Sequence, residues 1–114
     1  MSKELLYTFL TFLIVQSAVW LQTNGQFIWT WFKDHPFILS LFGITISLGY
    51  IWSTKFTFTA FDGTLWPGRL IGFAMGIISF AMLTNHFMGE GISTKVIVSL
   101  ILAITLVCIQ VFWK

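Results

Sequence analysis

STKVIVSLILAITLVCIQVFW, residues 93–113, carries a single charge, Lys95, and is apolar around every side of a helix. At about 1.5 Å per residue such a run reaches roughly 30 Å, the thickness of a bilayer's hydrocarbon core. Working back along the chain, residues 5–22, 37–54 and 67–88 repeat the pattern. The whole sequence of 114 residues is 57% hydrophobic and only 9% charged, with a mean hydropathy of +0.89. A soluble domain carries about 25% charged residues to wet its surface, so this chain is built for lipid. The apolar runs lack the strict alternation of a membrane barrel. Backbone buried in lipid must then satisfy itself within helices, and the sequence predicts an all-α, integral membrane, four-transmembrane-helix bundle as one domain over residues 1–114.

The intervals between runs carry the expected punctuation. Asn24-Gly25 closes the first span, His35-Pro36 opens the second, Asp62-Gly63 and Trp66-Pro67-Gly68 divide the second from the third, and Gly89-Glu90-Gly91 turns into the fourth, with Ser93 or Thr94 as its cap. The first run lacks the basic flank and small-residue cleavage site of a signal peptide and is expected to remain as a mature helix. Residues 26–33 are too aromatic for water and too polar to cross, so they are expected to lie in the interface, as are residues 55–61. Trp20, Trp29, Trp31, Trp66 and Trp113 near span ends fit an aromatic belt. Lys3, Lys55, Arg69 and Lys114 share one side against Lys33 and Lys95 opposite, which favours both termini in the cytoplasm of a multi-pass inner or plasma membrane protein.

Within lipid, helices associate through small residues and interhelical hydrogen bonds. Stripes at helical spacing predict the seams: Thr8, Thr11, Val15, Ala18 and Gln22; Ser40, Gly43, Ser47, Tyr50 and Thr54; Gly68, Gly72, Gly76, Ser79 and His86; and Ser99, Ala103 and Gln110. Gln16 stands about 100° from Val15, off its stripe. Its amide must be satisfied by a neighbouring helix, a second copy of the chain, or a chamber holding solute or water. His86 is the seam's one group able to titrate near neutral pH.

The four carboxylates, Glu4, Asp34, Asp62 and Glu90, all fall at or outside span boundaries. Ion-coupled transport ordinarily relies on an ionisable group inside the membrane, so coupling is not indicated. No two carboxylates share a span, and no Cys–His or Ser–His pair falls within one helical turn, so no enzyme, metal or cofactor is expected. Asp62 and Arg69 are placed to pair across the Trp66-Pro67 turn. Cys108, alone in an apolar run, reads as a small packing residue. The net charge of +2 is too small and dispersed for nucleic acid.

Two turns carry a family resemblance. Phe87-Met88-Gly89-Glu90-Gly91-Ile92-Ser93 before an apolar helix, and Thr64-Leu65-Trp66-Pro67-Gly68 before Gly72, resemble the small multidrug resistance family of the drug/metabolite transporter superfamily. The similarity covers the second half of the chain. It implies four helices, transporter-like activity and a homodimer, antiparallel given the weak charge bias. The family's membrane-embedded glutamate would fall at or near Gln16, which exchanges no proton, so the implied movement of solute is uncoupled. Gln16, Tyr50 and Trp66 are the expected chamber-lining residues. The competing expectation is a structural or accessory subunit of a larger membrane complex, docking through some of its 13 Phe and 6 Trp.

Overall fold

The first span, α1 (Lys3–Asn24), is helical throughout. Its Thr8, Thr11 and Ser17 hydroxyls donate to the carbonyls of Glu4, Tyr7 and Leu13, so polar side chains sit in an apolar helix without stranding a donor. The computed structural model describes residues 3–113. After a 3₁₀ turn at Gly25–Phe27, the short α2 (Thr30–Asp34) and α3 (Pro36–Leu41) lead into α4 (Gly43–Ala60). Pro36 occupies the first turn of α3, where its missing N–H costs no bond. α5 (Trp66–Leu83) runs into a π turn at Thr84–Met88, and α6 (Thr94–Phe112) completes the chain.

Four segments are long and apolar enough to cross a membrane: Lys3–Phe27, Pro36–Ala60, Trp66–Met88 and Thr94–Phe112. The protein is an all-α four-helix membrane bundle with no strand among the described residues. It is flattened, measuring 47 × 36 × 19 Å. α1 packs between α4 and α5, and α6 leans on the far side of α5.

The α1–α4 seam is a zipper whose residue numbers sum to nearly a constant, as two antiparallel helices require. Thr57 Oγ1 donates to Thr8 Oγ1 at 3.3 Å. Val15 fills the space above Gly49, where an added Cβ would stand 2.5 Å from its methyl. Gln22 Nε2 donates to the Leu39 carbonyl at 2.9 Å. Leu39's oxygen also accepts from the Phe42 N–H, tightening the backbone where α3 gives way to α4. Toward α5 the offset is nearly constant instead, so these two helices run parallel. Phe12 lies against Gly72 and Gln16 against Gly76, both near 3.1 Å from where a side chain would begin.

Several expectations are corrected here. Residues 55–60, expected to lie in the interface, take the form of the last turns of α4, with Thr57 buried against α1 and the threonine hydroxyls bonded to the preceding turn. Ser40, Ser47 and Thr54 are exposed; the buried stripe is displaced onto Leu39, Ser53 and Thr57. Trp20 is not part of a belt. It is 3% exposed, donates through Nε1 to Thr84 Oγ1 at 3.0 Å and stacks on Phe87. The wider π turn moves His86 out of the stripe, leaving it exposed with an edge contact to Phe87, and puts Thr84 in its place. Gly89, with φ of 68°, ends that turn in the left-handed region where glycine has no steric cost. Ser93 rather than Thr94 caps α6, accepting from the Val96 N–H. Cys108 is exposed on α6 rather than packed. Asp62 sits in a tight turn at φ of 57° and forms no ion pair with Arg69.

Candidate functional site

A cavity of about 440 Å³ opens between α1, α4 and the first turns of α5, within the range that small-molecule sites occupy. Gln16 and Tyr50, two of the three expected chamber residues, line it together. The third, Trp66, does not. It projects away from the bundle, 74% exposed, and Leu65, Gly68 and Arg69 take the position at the cavity's outer end.

Each polar wall has a structural cause. Gln16 faces α5 because its neighbour Val15 is committed to Gly49 on α4, and successive residues of a helix stand about 100° apart. Its Nε2 donates to the Gly72 carbonyl at 3.1 Å, so the neighbouring helix satisfies the amide. Glycine at 76 lets the long side chain lie this close to the α5 backbone, as glycine at 72 does for the ring of Phe12. Tyr50 follows Gly49 on α4 and brings its hydroxyl into interaction with the Gln16 side chain and the field of Arg69. Arg69 lies three residues before Gly72 and seven before Gly76, on the same face of α5. The cavity therefore grades from a charged outer end to an amide roughly 10 Å further along α5, between the rings of Phe12 and Phe73.

The helix-packing residues separate into two roles. Gly68 meets α4 at Thr57, and Gly72 and Gly76 meet α1. Ser79 is buried on α5 with its hydroxyl unpartnered. Arg69 is the residue that sequence reasoning missed as part of this site, having assigned it to Asp62; its register with Gly72 and Gly76 was the signal. A second cavity, of about 330 Å³ beneath Trp31 and Phe42, is walled almost wholly by apolar groups and offers a polar solute little to bond.

No protein-family model, curated protein or solved structure matches this chain. Its functional reading therefore rests on the geometry of the cavity.

Proposed function

We propose that this protein is transporter-like, a divergent relative of small multidrug resistance proteins that passes a small solute through the cavity between α1, α4 and α5. The observation that carries the reading is the placement of Gln16 and Tyr50 together in a solute-sized space beside the central helix pair. A polar group at membrane depth is costly unless it bonds, and a space that keeps polar groups reachable suits a molecule that must leave water. Gln16 offers an amide where a proton-coupled protein would need a carboxylate, so flow is uncoupled and follows the solute gradient. A homodimer, antiparallel in the membrane, completes the path.

The test is flux in proteoliposomes made from the full chain. Uptake above protein-free vesicles is expected for some members of a panel of small polar solutes, falling about tenfold in Tyr50→Phe and Gln16→Ala with helical content unchanged. Absence of flux across the panel would overturn the proposal, as would flux indifferent to both substitutions.

A second reading, an accessory subunit of a larger membrane complex, is favoured by one observation. Only 6% of the α6 span is buried, leaving Ile97, Ile101, Leu102 and Ile104 outward. Purification from native membranes in mild detergent separates the two. A stable complex with other subunits favours docking, and a homodimer favours transport.

A further inference from the structure

The cavity's outer end has a charge character that the reading above leaves open. Of its lining residues, Arg69 is charged and none is a carboxylate. Asp62, expected to neutralise it, forms no ion pair with it, and neither does any other carboxylate of the described residues. Arg69 itself is exposed at the mouth of the cavity, in the first turn of α5, where the helix dipole is positive. Gly68 lines the same end of the cavity and packs against Thr57 of α4. The Tyr50 hydroxyl and the Gln16 amide add neutral hydrogen-bonding groups deeper in. The set is therefore positively charged at one end and free of competing carboxylates.

We infer that this cavity binds an oxyanion, a phosphate or carboxylate group, with Arg69 as its charged ligand and Tyr50 and Gln16 orienting the remainder of the molecule. The inference rests on the cavity being a solute site, as proposed above, and names the chemical class. A planar guanidinium matches the paired oxygens of either group, and bonds between ions are about twice as strong as neutral ones. The oxyanion belongs either to a soluble molecule or to an anionic lipid headgroup reaching Arg69 from the membrane surface.

The test uses the full chain in nanodiscs of phosphatidylcholine, titrated calorimetrically with inorganic phosphate, acetate, tetramethylammonium and glycerol. Phosphate or acetate is expected to bind in preference to the cation and the neutral solute. Arg69→Gln should weaken binding about tenfold or more, Arg69→Lys less, and Tyr50→Phe by a smaller factor. Lys95→Gln, at the opposite membrane face, should leave it unchanged. In discs doped with phosphatidylglycerol, thermal stabilisation that Arg69→Gln abolishes would support the site with the headgroup as its source. Failure of oxyanions from both sources would overturn the inference, as would equal binding by Arg69→Gln or preference for tetramethylammonium. If Arg69→Gln does not insert, unchanged affinity in Arg69→Lys and Tyr50→Phe overturns it equally. Oxyanion binding without flux sinks the transport reading alone; flux of a neutral solute unaffected by Arg69→Gln sinks this inference alone.

Discussion

The two sides of α5 are built on different principles. Toward α1 it offers glycines, with Gly72 accepting a bond from Gln16 and Thr84 one from Trp20. Side-chain hydrogen bonds from Gln16, Trp20 and Gln22, and one accepted by Thr8, tie α1 to the neighbouring spans. Toward α6, among the described residues, no side-chain hydrogen bond crosses, and Ala103 is the α6 residue that becomes fully buried. Lipid tails are as apolar as leucine, so burying leucine between helices gains little; close backbone approach and polar pairing decide which helices are held. Sequence hydropathy ranks the spans in the opposite order. α6 is the most apolar at 2.5, whereas the α1 span is only 1.5. Apolarity commits a helix to the membrane, and the polar and small residues commit it to a neighbour.

The largest expected effect comes from removing the anchor at the far end of α1. Trp20→Ala would empty a buried indole site, strand the Thr84 hydroxyl and unstack Phe87. About 3 kcal/mol of stability should be lost, the low end for Trp→Ala in soluble cores because lipid supplies no transfer term. Reversible unfolding in mixed micelles measures it. A loss below about 1 kcal/mol, within the scatter of ordinary substitutions, would show that α1 is held no more firmly than α6.

A smaller loss is expected where the zipper is tightest. Gly49→Val adds a branched side chain into the position Val15 occupies, and neither residue has a flexible end that can swing away. Overpacking of this kind costs about 1–3 kcal/mol. Val15→Ala placed on top of it should restore most of the stability, because the same space is then emptied from the other side. Absence of rescue would mean that the two helices meet elsewhere.

The distinction between apolarity and commitment also explains what was legible in the sequence. The four spans were, since hydropathy alone settles them, and so was the α1 seam at Thr8, Val15 and Gln22. The α4 seam was not. Ser40, Ser47 and Thr54 are as small and polar as Ser53 and Thr57, and only α1's actual rotation selects between stripes one residue apart. His86 was misplaced because a regular 100° step was carried through a π turn that the sequence does not announce. For the cavity, Gln16 was found by asking what satisfies a polar group that stands off its stripe, and Tyr50 stood in the expected α4 stripe. Arg69 was lost by granting it one nearby in sequence, although Asp62's turn carries that carboxylate out of ion-pair reach.

The smallest expected effect lies on the outer face of α6. Leu102 is 65% exposed, so Leu102→Ala removes atoms that touch lipid rather than protein. The folded chain and its unfolded helices in the membrane lose the same lipid contacts, and stability should change by less than about 0.5 kcal/mol, as surface substitutions do. Because the outer face of α6 touches so little of its own bundle, any larger effect must come from outside the single chain. Unfolding at several protein-to-lipid ratios tells these apart. A loss that grows with protein concentration would place Leu102 in a contact between copies, giving α6 the partner that α5 does not fully supply. A small loss independent of concentration would leave α6 facing lipid, with the holding of the bundle confined to the polar side of α5.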